Sequence, residues 1–342
     1  MKSEKNNIII GIDTSCYTTS IAAISLDKKV IFNEKIMLEV KENCKGLRQS
    51  EAVFQHVNNL GVISEKIYDL IKKYKVCAVC VSTKPRPLDE SYMPVFTVGH
   101  NFAKLLTSMI NCPLYETTHQ ENHIEASFFT NDIKNKDKFL SIHMSGGTTE
   151  ILLVSTNNNL IGISNKENNP NNKSKYNIEI VGGTKDISFG QLIDRTGVKL
   201  GYRFPAGKYI DENAINCNLK IEQGLKTSVK GGYMNLSGLE NQVEKLIQNK
   251  SKEYISKVVL DSVVRNLDKS IEYISKTYKM NEVVFAGGVS ASKYVSSELS
   301  LKLRKKGLQA YFTKPEYSTD NAVGCAIIGL NKFIEEKNYK SY

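Results

Sequence analysis

"NNIIIGIDTSCYTTSIAAISL", residues 6–26, and "KFLSIHMSGGTTEILLVS", residues 138–155, share one pattern. Each reads as a strand, a polar Gly/Ser/Thr turn and a returning strand, which is a hairpin. The returning strands match: Thr18-Thr19-Ser20-Ile21 ends at Ser25, and Thr148-Thr149-Glu150-Ile151 ends at Ser155, an offset of 148 − 18 = 130 residues. Two matched hairpins at that distance suggest a duplicated domain, each half opening with a turn the size of a phosphate. Around them, helical stretches at Ser50–Tyr74 and Val98–Ile110 alternate with short apolar strands at Val76–Val81 and Pro113–Tyr115. That is α/β organisation. Further along, Tyr254–Tyr278 has helical periodicity, "EVVFAGGVSAS" gives a buried strand running into a glycine turn, and a final helix is expected over Asn321–Glu336. The polar insert "NKENNPNNKSKYN" (Asn165–Asn177) reads as a surface loop.

Composition sets the outer bounds. A chain of 342 residues with 41% hydrophobic and 24% charged residues has the make-up of a soluble globular protein, and its length favours two domains. The net charge of +10 suits a polyanion such as RNA. Lys, Asn and Ile are abundant throughout, however, so the charge permits that partner without demanding it. No targeting or membrane segment is apparent, and seven scattered cysteines fit a reducing compartment; a cytoplasmic location is expected. Cys77 and Cys80 form a C-x-x-C, but within an apparent buried strand, where residues three apart point to opposite faces.

The residue types at the turns have a chemical purpose. Gly146-Gly147 and Gly287-Gly288 let the backbone approach a ligand and turn N–H groups toward phosphate oxygens, and Thr14, Ser15, Thr148 and Thr149 add hydroxyls. His119 and His123 lie four apart in "THQENHIEAS", on one helix face, where they can share an ion or simply face solvent. A zincin-type protease needs its glutamate directly after the first histidine, whereas Glu121 sits two residues along, about 200° around the helix.

In order, these motifs resemble the TsaD family of tRNA threonylcarbamoyltransferases, of the actin-like ATPase (ASKHA) superfamily. The family's G-I-E-T-S-C-D-E-T appears as "GIDTSCYTT", its H-x-E-G-H as "HQENH" and its V-S-G-G-H-T as "MSGGTT". D-D-A-A-G-E-A-F-D aligns with "DISFGQLID", Y-P-G-G-P-x-I with "YRFPAGKYIDENA", F-S-G-L with "NLSGL", A-G-G-V-A-A-N with "AGGVSAS" and C-T-D-N with "STDNA". The matches span residues 8 to 330.

The resemblance implies two duplicated RNase H-like domains around a central cleft: residues 1–118, residues 119–320 with the metal and nucleotide motifs, and a C-terminal helix in 321–342 packing back on the first half. It implies that His119, His123 and Asp320 hold one divalent ion, iron or zinc. It also implies that His143, Met144, Ser145, Gly146, Gly147, Asp194, Gly207 and Ser292 bind substrate nucleotide. The implied reaction moves the threonylcarbamoyl group from threonylcarbamoyl-AMP to N6 of the adenosine beside the anticodon in tRNAs reading ANN codons. The implied partners are a TsaB-like ASKHA subunit and a small ATPase, with no membrane. Departures gather at the ligand motifs: Tyr17 and Thr18 replace an acidic pair, Thr148 a histidine, Glu240 a lysine and Ser292 an asparagine, while "PRPLDESYMPVFTVG" keeps little of P-G-L-x-G-A-L-x-V-G. A paralogue that binds nucleotide or a partner without catalysing transfer is therefore the alternative.

Overall fold

The structure is a computed structural model and describes residues 6–15, 17–40, 47–88, 90–131, 133, 136–157 and 174–339. In chain order the elements are β1 (Asn7–Ser15), β2 (Thr18–Ser25), β3 (Val30–Met37), α1 (Gln49–Lys73), β4 (Lys75–Lys84), α2 (Val95–Ile110), β5 (Leu114–Thr118), α3 (His119–Asn131), β6 (Lys138–Met144), β7 (Thr149–Thr156) and β8 (Tyr176–Thr184). There follow α4 (Phe189–Lys199), α5 (Gly207–Asn216), β9 (Val229–Lys230), β10 (Tyr233–Met234), α6 (Ser237–Ile247), α7 (Lys252–Tyr278), β11 (Glu282–Ala286), α8 (Lys293–Lys305), β12 (Gln309–Phe312), α9 (Pro315–Ser318) and α10 (Val323–Tyr339). The expected insert loop falls for the most part outside the described residues, and its last two, Tyr176 and Asn177, open β8 instead.

The chain divides into two compact units. The first comprises residues 1–129, 157–177 and 320–342, the second residues 130–156 and 178–319. Residues 119–129 thus group with the first unit, beyond the 118/119 boundary that the family resemblance implies. Local bonding explains this: α3 follows β5 without a loop, and its Glu121 accepts from the Thr117 and Thr118 hydroxyls.

The first unit holds a five-stranded sheet in the order β3-β2-β1-β4-β5. β1, β2 and β3 are antiparallel neighbours, while β4 and β5 add in parallel. Strand alternation sorts the run Ile8–Ile12 onto two faces. Ile8, Ile10 and Ile12 enter one core with Leu60, Ile63, Ile67 and Leu70 of α1. The opposite face meets α10 at Gly11, where a Cβ would lie 2.2 Å from the Ala322 carbonyl oxygen. With both faces covered, the strand reads as an unbroken apolar run.

The second unit holds a seven-stranded sheet, β12-β11-β6-β7-β8-β10-β9. Its antiparallel pair β6/β7 carries β11 and then β12 in parallel on the β6 side. The same arrangement, a hairpin extended by two parallel strands beside its first strand, builds the first unit from β1/β2, β4 and β5. The duplication suggested by the hairpins is present in the topology. α7 packs Val259, Val263 and Ile271 into this unit's core. In β4, Cys80 is buried and Cys77 partly exposed, both are free thiols, and burial pushes the Cys80 thiol up to about 12. Such a thiol is not a redox centre at neutral pH.

Candidate metal centre and glycine turns

β5 delivers its chain directly into α3, so His119 is the first helical residue and His123 follows one turn later. The loop ahead of α10 brings Asp320 to both. His119 Nε2 lies 3.1 Å from His123 Nε2, and Asp320 Oδ1 lies 3.5 Å from the first and 3.4 Å from the second. One ligand atom from each residue falls within 4.8 Å of the others. Two imidazoles and a carboxylate converging on one point are a donor set for a divalent transition metal, and they leave room for further ligands.

Electrostatics concentrate here. Burial opposes the charge on His119, but the Asp13 and Asp320 carboxylates raise its pKa well above the ordinary value. Burial and the neighbouring His119 lower that of His123. Burial works against ionised Asp320 too, yet the two imidazoles hold its carboxyl well below the usual range. Two carboxylates, Asp13 and Asp320, thus face the His119 imidazole.

The sequence did not reveal Asp13. Its Oδ1 sits 3.1 Å from His119 Nδ1 and also accepts from the Ser82 hydroxyl. A carboxylate behind Nδ1 fixes the tautomer that presents Nε2 to a metal. The available signal was alternation: Asp13 falls on the Gly11 face of β1, opposite Thr14, whose hydroxyl donates to Val95 O on the other side. Glu121, the residue a protease reading would need, is 3% exposed and fully engaged. One oxygen accepts from Thr117, Thr118 and the Thr118 N–H, the other from the Ser174 hydroxyl and the Lys175 N–H. It ties β5 and the start of α3 to Ser174 and Lys175.

His56 of α1 is buried, with Nδ1 2.8 Å from the Thr19 hydroxyl. Burial lowers its pKa to about 4, against the pull of Asp13. The unfolded chain protonates this histidine near its ordinary 6.5 while the folded chain does not. Stability therefore falls as pH drops from about 6.5 toward 4, by on the order of 3 kcal/mol from this group. Thermal melts at pH 7 and pH 5 should show a shallower acid limb for His56→Gln than for the wild type; equal limbs would reject the assignment.

In the second unit, His143 and Met144 end β6 and Ser145-Gly146-Gly147 turn into β7. Ser145 Oγ accepts from the N–H groups of Gly147 (3.3 Å) and Thr148 (3.1 Å). A Cβ on Gly146 or Gly147 would meet nothing within 4 Å, so this turn faces open space. α4 docks on it: Ser188 donates to Gly146 O, and Phe189 N–H donates to the Thr149 hydroxyl. Asp194 and Gly207 are also brought together, because Asp194 Oδ1 accepts from Ala206 N–H at the start of α5. Burial raises the Asp194 pKa, opposed by the Ala206 and Gly207 N–H groups. Gly287 plays a different part from the one its sequence suggested. It adopts φ +94°, its N–H donates to Ser318 O, and a Cβ there would lie 2.2 Å from Met144 O. It permits close packing of backbones and directs its N–H at protein. Ser292 caps α8 through Val295 N–H and donates to Asp211. Glu240 pairs with Arg195 (3.1 Å) and Lys199 (3.2 Å). Both departures are integrated into the fold.

Among solved structures, the chain is similar to T. kodakarensis HypF, with a TM-score of 0.60 and 15% identity over 98% of this chain and 48% of that one. It is also similar to the activator of the 2-hydroxyisocaproyl-CoA dehydratase from Clostridium difficile (TM-score 0.50, 11% identity, 97% of each chain). At such identities the likeness concerns the fold, which is that of the actin-like ATPases. Proteins named tRNA N6-adenosine threonylcarbamoyltransferase match closely in length. The one from Riemerella anatipestifer is 28% identical over 96% of this chain and 94% of its own, and that from Sulfurihydrogenibium sp. 29% over 96% and 91%. The family model TsaD, tRNA N6-adenosine threonylcarbamoyltransferase, matches residues 171–327. The chain thus aligns over nearly its whole length with proteins of one name, and the model of that family matches it through the Asp194, Ser292 and Asp320 motifs.

Proposed function

We propose that this protein transfers the threonylcarbamoyl group of threonylcarbamoyl-AMP to N6 of the adenosine beside the anticodon in tRNAs reading ANN codons. The observation that carries the reading is the convergence of His119, His123 and Asp320 with Asp13 behind His119. These three residues would hold one divalent ion, iron or zinc. Bound there, it supplies Lewis acidity and a template for the transferred group. Asp13 keeps the His119 proton on Nδ1 and so keeps Nε2 available. The Gly147 and Thr148 N–H groups, now bonded to Ser145 Oγ, are donors that an adenylate phosphate takes over. Asp194 accepts from ribose hydroxyls, and His143, Met144, Gly207 and Ser292 complete the nucleotide-binding set. The N6 amine is a weak nucleophile, so orienting the two substrates supplies much of the rate. A TsaB-like subunit and a small ATPase complete the working assembly. No helix among the described residues is long and apolar enough to cross a membrane.

The test is rescue. Cells depleted of their own threonylcarbamoyltransferase lose the modified adenosine; expressing this chain with its native partners restores it in bulk tRNA, measured by nucleoside mass spectrometry, and His119→Ala abolishes the return. Persistent absence of the modified nucleoside, with metal and nucleotide still bound, would favour the non-catalytic paralogue, to which Tyr17 and Thr18 point. A second expected result concerns nucleotide. Gly147→Val fills the open space over the turn and abolishes calorimetric binding of adenine nucleotide, while the melting temperature stays near wild type because no atom obstructs the new side chain.

A further inference from the structure

Between the two histidines stands Asn122, which is fully buried. Its side-chain Nδ2 donates to the backbone oxygen of Asn321, the residue after Asp320. Its Oδ1 accepts from the Cys325 N–H at 2.8 Å, in the first turn of α10. One carboxamide therefore ties together the segment that follows Asp320, from Asn321 to the first turn of α10, across sequence separations of 199 and 203 residues. The seat is close-fitting: a Cβ at Gly324 would lie 1.9 Å from Asn122 O and 2.7 Å from its Oδ1. The H-x-E-G-H form of this motif has glycine at the position and no side chain to make these bonds.

We propose that Asn122 is a positioning residue for the metal centre, holding the Asp320 carboxylate in register with His119 and His123. The inference rests on the reading of that triad as a metal site. Both bonds go to backbone groups beside Asp320, so removing the carboxamide takes a donor from the Asn321 carbonyl and an acceptor from the Cys325 N–H, and loosens the segment that carries Asp320. Orienting partners of this kind change metal affinity by about 10–100-fold when removed.

The experiment titrates the metal-free full-length protein with Co2+ and records affinity and the visible ligand-field spectrum, for wild type, Asn122→Ala and Asn122→Gly. All are compared below their own melting temperatures. Expected are tight binding by the wild type and a loss of about 10-fold or more in both variants, with an altered spectrum, because the carboxylate has left its position. A purely structural role would lower the melting temperature and leave affinity and spectrum unchanged, which would overturn the inference. Asn122→Gly carries the same test if Asn122→Ala does not fold. No Co2+ binding by the wild type would overturn the metal reading itself, and this inference with it.

Discussion

Replacing His119 and His123 together by alanine should leave the purified protein with little or none of the iron or zinc proposed for the wild type. Each histidine contributes one Nε2 to a cluster in which the only other ligand among the described residues is Asp320. Removing two of three protein ligands costs far more than the 10–100-fold typical of a single orienting residue, so on the order of a tenth or less of the wild-type content should survive purification. Asp320→Asn loses less, since the amide keeps an acceptor oxygen at the same place. Metal analysis by mass spectrometry decides the matter, with circular dichroism to confirm folding. Equal content in wild type and double variant would place the metal elsewhere or nowhere.

The sequence pointed to His119, His123 and Asp320 through the family resemblance, since a spacing of four suits a solvated helix face equally well, and the structure brings the three side chains together. The fold was legible in the residues themselves: the hairpins repeat at a fixed offset, and their topology repeats with them. What surrounds the ligands was not legible. Asp13 reaches His119 across 106 residues, and Glu121 reaches Ser174 across 53. Asn122 makes its two bonds across some 200. A buried polar side chain in a strand or a short helix leaves no periodic trace, since its partner is chosen by tertiary folding. α3 is the extreme case. Gln120, Glu121, Asn122, His123, Glu125 and Ser127 are all buried, which reverses what a polar helical segment ordinarily signals. The glycine turns divide the same way. Gly146-Gly147 opens to space as its composition suggested, but Gly287 is required by a left-handed φ and by Met144, and no sequence pattern separates the two.

Gly11→Ala should be the most damaging single methyl that can be added to the first unit's sheet. The new Cβ would stand 2.2 Å from Ala322 O and 2.5 Å from Ala326 N, both backbone atoms that cannot rotate aside. β1 and α10 would have to separate, and overpacking of this kind costs about 3 kcal/mol, or roughly 6–12 °C in Tm for a unit of this size. The consequence extends beyond stability. Ala322 lies two residues past Asp320, so a displaced α10 carries the carboxylate with it, and metal affinity should fall along with the melting temperature. Gly61→Ala is the matching control. It lies within α1, where a Cβ meets nothing within 4 Å, so alanine should leave metal binding unchanged and raise stability by about 0.5–1 kcal/mol through lost backbone freedom in the unfolded chain. Calorimetric melts and Co2+ titrations of both variants separate the effects. A Gly11→Ala protein that melts and binds as the wild type does would mean that α10 does not pack on β1 as described, and that Asp320 is held in place by something other than this contact.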